Sequence, residues 1–386
     1  MKIRQGGLIK PKLNMLFYGA TGTGKSTQAL EIAKFKREDG TPFRVFCFDI
    51  ESGGADECLE ELEAQGVDTR NVFMAYTQSL SEVEQYVDKI AKGETLYYLD
   101  DDGDETDEPI LDAYGENFVP DAVIVDGTSV LKLTNTQSLL QLSQKRNKIK
   151  AKNNGGTAEE IYVATQNAGL EYKDHAQLNY AGQRLVLSLM ALPVHVIMTA
   201  REKDEKISTR NDDGSFTSTP TGRKLPDSFA GIDYNIKSMI RMFRNDDGEV
   251  CYSVEKDRTK TFTPGDVVVN PSLLSFEKTL NNGAGRRSFA IKNDLDDAIQ
   301  TDRKIFEQEL LGDIFEEKPV VQNNNIEMSA EEIIASINET MRDMTQTERD
   351  KKKAALSSAG LACNPAAIKK LTDVAVLSQI LDIVKA

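Results

Sequence analysis

Eight consecutive residues, Gly19, Ala20, Thr21, Gly22, Thr23, Gly24, Lys25 and Ser26, fit the pattern G-x-x-x-x-G-K-[ST], and the apolar run 13–18 leads straight into them. Few features constrain a fold as tightly, because the pattern works only as a turn between a buried strand and a helix. Its glycines let backbone N–H groups close around a β-phosphate, and the helix N-terminus adds partial positive charge. Lys25 then reaches the β/γ oxygens, Ser26 ligates Mg2+, and Thr27 follows as the last residue of the cradle. Residues 27–38 read as the amphipathic helix that must come next, through Ala29, Leu30, Ile32 and Ala33, closed by Gly40. An incidental glycine-rich turn would need neither the strand nor the helix. The pattern therefore implies a nucleoside triphosphate, ATP with Mg2+, as ligand.

The 386 residues suffice for one large domain and a smaller one. With 47 Lys and Arg against 62 Asp and Glu, the net charge is −15, so no global basic field draws in nucleic acid and any such contact must be local. Cys47, Cys58, Cys251 and Cys363 are scattered without C-x-x-C spacing, and His175 and His195 are the only histidines, so neither a zinc site nor a disulfide framework is indicated. No apolar run reaches membrane-spanning length, and residues 1–10 lack the apolar stretch of a signal peptide, which leads us to expect a soluble, cytosolic protein.

Along the chain, 44–49 has the pattern of a buried strand and 50–54 that of a turn, followed by a helix at 55–65, a strand at 72–75 and a helix at 81–91. Seven of the nine residues at 100–108 are acidic. Gly103 is out of register for a calcium loop, so this stretch reads as the solvated tip of a hairpin between 96–99 and 110–113, an insertion spanning about 94–118. A second buried strand, 122–126, ends in Asp126. Beyond it, 127–158 has no acidic residue, and Lys145, Arg146, Lys148, Lys150 and Lys152 make a local inversion of sign. A helix at 176–190 precedes a third buried strand, 194–199, where His195 reads as a satisfied core imidazole. The polar segment 201–227, which carries Arg223 and Lys224, reads as a long functional loop. Strands 239–244 and 250–256 flank the turn 245–248. From about 294 the composition turns helical, with a polar joint at 317–325, a capping box at 329–332 and a last helix starting at Asn364 and Pro365. The expected units are a core at 1–293, a helical extension and polar linker at 294–326, and a helical domain at 327–386.

Triphosphate hydrolysis needs a phosphate cradle, Mg2+ and a group that orients water. Asp126 suits the metal, held through a water, together with Ser26. Many motor ATPases carry a catalytic Glu directly after this Asp, but here Gly127 follows. The base must come from elsewhere, and Glu51, two residues beyond the strand that ends at Asp49, would lie at the carboxyl edge of a parallel sheet beside the phosphate loop.

With these residues in view, 10–262 resembles the RecA superfamily: the phosphate loop, the Asp-Ile-Glu turn at 49–51, Val-Asp-Gly-Thr-Ser at 125–129, the strand tipped by Thr199, and Lys256-Asp257-Arg258 after a hairpin. Within it the chain looks most like RecA-fold ATPases of bacteriophage recombination modules, which act with single-stranded DNA and single-strand-binding protein. The resemblance implies an α/β fold, with a mostly parallel sheet flanked by helices and a small C-terminal helical domain. It makes Glu51 the water-activating residue and Thr199 the tip of the sensor strand. Lys256 and Arg258 become cations inserted into a neighbour's site in a ring or filament. The segments after the Asp126 and Thr199 strands become DNA-facing loops. The setting would be the bacterial host cytoplasm, and the C-terminal helices would recruit single-strand-binding protein or another replication protein. A RecA sensor is commonly Gln, whereas this strand ends in Thr199 with Arg201 just beyond. Three rivals share the phosphate loop: a helicase or packaging motor, a nucleoside kinase, and an ATP-dependent adaptor without DNA chemistry.

Overall fold

The computed structural model describes residues 12–278 apart from 52, 101, 102, 212 and 213, together with 303 and with 330–385 apart from 372. Two compact units separate, Met1–Ala298 and Ile299–Ala386. The expected extension and linker at 294–326 falls, except for residue 303, outside the described residues.

Asn14–Gly19 (β1), Val45–Asp49 (β2), Val72–Tyr76 (β3), Ala122–Asp126 (β6), His195–Arg210 (β7) and Ser238–Arg244 (β9) run parallel in the order β9-β1-β7-β6-β2-β3. Val250–Asp257 (β10) and Val267–Val269 (β11) extend the β9 edge antiparallel. Phe216–Asp227 (β8) pairs back along the distal half of β7. The central strands are continuous apolar runs because both faces are covered. Alternate side chains part to opposite sides. Leu16, Tyr18, Phe46, Phe48, Val123, Val125, Val196 and Met198 enter one core. Met15, Phe17, Val45, Cys47, Ala122, Ile124 and Ile197 enter the other.

Leu80–Lys92 (α3), Thr128–Asn153 (α4) and Tyr172–Ala191 (α6) send Val83, Val87, Leu131, Leu185 and Leu189 into the first core. Lys25–Leu30 (α1) and Gly54–Ala64 (α2) supply Ala29, Leu30, Ala55 and Leu62 to the second. Ala158–Gln166 (α5), the single turn Ile232–Asn235 (α7) and the 3-10 turn Leu273–Phe276 also belong to this unit. As expected, His195 is core: Nδ1 accepts the Leu13 N–H at 3.0 Å, and the ring lies 5.7 Å from Phe43.

Several elements differ from the sequence reading. The helix after the phosphate loop starts at Lys25 and tightens to a 3-10 turn over Glu31–Lys34. Gly40, at φ 85°, therefore serves the turn of the Lys36–Pro42 bridge and does not close the helix. The two expected DNA-facing loops are regular structure. The basic run forms the last turns of the 26-residue α4, and 201–227 is mostly a two-stranded arm made by β7 and β8. The acidic stretch is half strand: Tyr97–Leu99 (β4) pairs with Glu105–Pro109 (β5), so the tip is shorter than expected.

In the second unit, Ala330–Asp343 (α8), Gln346–Ser358 (α9), Pro365–Ile368 (α10) and Val374–Lys385 (α11) enclose Ile333, Ile337, Met341, Leu356, Ile368, Leu377, Ile380 and Val384. The single last helix expected from 364 is thus two, and Ser329 of the expected capping box lies outside the described residues. No helix among the described residues is long and apolar enough to cross a membrane.

Candidate nucleoside triphosphate site

β7 lies between β1 and β6, so the phosphate loop and Asp126 stand two strand spacings apart, roughly 9.5 Å. The carboxyl edge between them is where open α/β sheets bind ligands. Gly19 passes so close to β9 that a Cβ there would fall 2.1 Å from the Met242 carbonyl oxygen. Gly22 and Gly24 hold φ of 75° and 79°, the left-handed region that favours glycine. The Thr23 hydroxyl and the Lys25 ammonium both donate to the Ala20 carbonyl, at 2.8 and 2.7 Å. Ala20, Thr21 and Gly22 form the exposed rim. No side chain caps α1, so its first-turn N–H groups are left for a ligand. This loop fits a triphosphate chain. Thr27, by contrast, turns its hydroxyl to Cys58 Sγ at 3.3 Å.

The carboxylates come from adjacent strands in register, with Asp49 paired opposite Asp126. Asp126 is 4 % exposed. Thr199 Oγ1 donates to its Oδ1, and the Ser26 hydroxyl also bonds to it. Burial pushes the Asp126 carboxyl up from its ordinary range, the bonds from Thr199 and Ser26 oppose that, and Glu51 and Asp49 add to it. A hard divalent cation would relieve this cost, and the Ser26 and Asp126 oxygens are the ones placed to hold Mg2+. Thr199 Oγ1 also accepts the Gly127 N–H at 2.9 Å, so one hydroxyl ties β7 to the Asp126 carboxylate and to the turn after it.

Asp49 shapes the turn that presents Glu51. Its two oxygens accept the N–H groups of Glu51 at 3.1 Å and Gly53 at 2.7 Å. The Glu51 side chain then crosses Gly127, where a Cβ would fall 2.7 Å from Glu51 Cγ. Gly127 sits at φ 106°. The glycine that replaces a carboxylate after Asp126 thus makes room for the carboxylate of Glu51. Arg201 Nε and Nη2 each lie 3.0 Å from Glu51 Oε1. Burial lowers the Lys25 ammonium from its usual range, against the pull of Glu51 and Asp126, the two carboxylates nearest in effect.

The remaining expected residues lie apart from this cluster or are already engaged. Lys256 Nζ donates to the carbonyls of Asp233 and Tyr234, at 2.7 and 3.2 Å. Arg258 is exposed, on a turn built by Asp257, which accepts from Ser238, Thr259, Thr261 and Phe262. Among the described residues its guanidinium has no partner. Arg146 is held by Asp174, bonding both carboxylate oxygens at 2.7 Å. Arg223 pairs with Glu255 and Lys224 with Asp204. Lys145, Lys148, Lys150 and Lys152 are exposed and pair with no described residue. Sequence reasoning gave no role to Asp49, to Arg201 as a partner of Glu51, or to Arg244. Arg244 donates to the Gly22 carbonyl at 3.1 Å and the Gly248 carbonyl at 2.7 Å, bracing the loop against the β9–β10 turn.

Fold and site together define an α/β phosphate-loop protein in which Asp126 and the turn that presents Glu51 come from neighbouring strands. Comparison with described protein families gives no match, and comparison with characterised proteins gives none either. Among solved structures, a KaiC-like protein from the hyperthermophilic archaeon Pyrococcus horikoshii OT3 is similar at 13 % identity and a TM-score of 0.37, over 68 % of this chain and 91 % of that one.

Proposed function

We propose that this chain binds and hydrolyses ATP and works on single-stranded DNA in bacteriophage recombination, annealing or replication. The observation that carries the hydrolytic part is the Glu51 carboxylate laid across Gly127, beside Asp126 and the phosphate loop. Loop N–H groups and Lys25 bind the phosphates, and Lys25 offsets charge developing on the γ-phosphoryl oxygens. Mg2+, when bound, neutralises phosphate charge at Ser26 and Asp126. Thr199 fixes the orientation of Asp126. Glu51 orients a water for in-line attack and accepts its proton.

The DNA part rests on the RecA resemblance and on four lysines of α4 that pair with no described residue, in a chain of net charge −15. Lys145, Lys148 and Lys152 fall at i, i+3 and i+7 on α4, one stripe of the helix, while Lys150, two residues from both Lys148 and Lys152, faces away from it. Replacing Lys148, Lys150 and Lys152 together with alanine is expected to lower single-stranded DNA affinity at low salt by about tenfold and to remove the DNA-dependent increment of hydrolysis. Arg146 stays untouched in that variant, because Asp174, 2 % exposed, depends on it. Unchanged DNA affinity in a fluorescence titration would rule out the α4 lysines and leave the β7–β8 arm or the C-terminal helical unit as the DNA element.

The same reading makes the protein a homo-oligomer, ring or filament, in which Arg258 reaches a neighbour's γ-phosphate. Arg258→Ala and Lys25→Ala protomers, each inactive alone, should recover part of the activity when mixed. A fully active monomer in analytical ultracentrifugation would exclude this. The C-terminal helical unit is assigned to recruiting single-strand-binding protein or another replication protein, in the host cytoplasm.

A further inference from the structure

Arg201 stands in β7 directly opposite Gly19, the first glycine of the phosphate loop. Its main chain is fixed: the N–H donates to Ser129 Oγ at 2.7 Å, Ser129 Oγ donates to the Asp227 carbonyl, and Lys132 and Lys203 hold the Asp227 carboxylate. Only the side chain is free to swing, and two of its nitrogens converge on one oxygen of Glu51. The side chains are 52 % and 40 % exposed, so this pair is worth little to stability and exchanges readily. A guanidinium prefers a multiply charged phosphate, which it grips with parallel bonds, over a single carboxylate oxygen.

We propose that Arg201 is a latch, paired with Glu51 until the γ-phosphate of a bound nucleoside triphosphate takes the guanidinium and frees the carboxylate to align water. This rests on the hydrolase reading above and adds a consequence to it. The site distinguishes triphosphate from diphosphate by an exchange of ion pairs, since a diphosphate has no group to draw Arg201 away. The electrostatic surroundings agree: Glu51 and Arg201 act on the Lys25 ammonium with opposite sign, so both lie close to the phosphate path.

The test is equilibrium binding of Mg2+–ATPγS and Mg2+–ADP by calorimetry to the unmodified chain, Glu51→Gln, Arg201→Ala and the double variant. Glu51→Gln removes the competing anion and should tighten ATPγS relative to ADP by roughly two- to fivefold, the size of one exposed ion pair. Arg201→Ala should weaken ATPγS by about tenfold and spare ADP, with Arg201→Lys in between. In the Arg201→Ala background, Glu51→Gln should no longer change the ratio. An equal effect of Glu51→Gln in both backgrounds, or equal weakening of ADP and ATPγS by Arg201→Ala, would overturn the latch while leaving the hydrolase reading in place. Failure of the unmodified chain to bind either nucleotide would overturn both.

Discussion

Lys25→Ala is expected to reduce ATP hydrolysis roughly a thousandfold, to background, while the protein folds as before. The lysine is half-buried at the mouth of the phosphate loop and donates its one described hydrogen bond to the Ala20 carbonyl. It contributes nothing to either core, so circular dichroism and Tm should match the parent. In the function proposed above its role lies in charge that develops in the transition state, where a fixed ammonium acts without reorganising. Near-normal turnover in the purified variant would remove the phosphate loop from the reaction.

Glu51→Gln should slow hydrolysis by about two orders of magnitude and retain nucleotide binding. Glutamine keeps the shape that Gly127 accommodates, and Asp49 still sets the turn. The amide cannot accept the proton of an attacking water. Stopped-flow binding and single-turnover phosphate release separate the two steps, and a normal single-turnover rate would place the base on another residue.

The site was the more legible part of this chain because its residues are ordered by strand ends. Lys25, Ser26, Glu51, Asp126 and Thr199 each stand at or just past the end of a continuous apolar run, and a parallel sheet gathers such ends on one edge. What stayed hidden lacked an apolar period. In α4 Leu131, Leu139, Leu142 and Ile149 fall on one side, but Val130, Leu133 and Leu140 fall on the others, so the apolar residues point all round the helix and no helical period stands out over 128–153. The arm made by β7 and β8 is exposed over most of its length, and its strands carry a run of charges at 201–206 and a run of hydroxyls at 217–219, with no alternation of apolar and polar residues. Backbone pairing holds it, and that leaves no hydrophobic signal. The bond between Arg201 and Glu51 links residues 150 positions apart, a distance no local pattern spans.

In the function proposed above, this chain is an ATP hydrolase that responds to single-stranded DNA. Steady-state phosphate release from Mg2+–ATP by the unmodified protein, with and without a single-stranded oligonucleotide, tests that directly. The expected result is hydrolysis that rises when the oligonucleotide is added and vanishes in Lys25→Ala. No phosphate release in either condition, or a rate indifferent to the oligonucleotide across a range of salt, would contradict it.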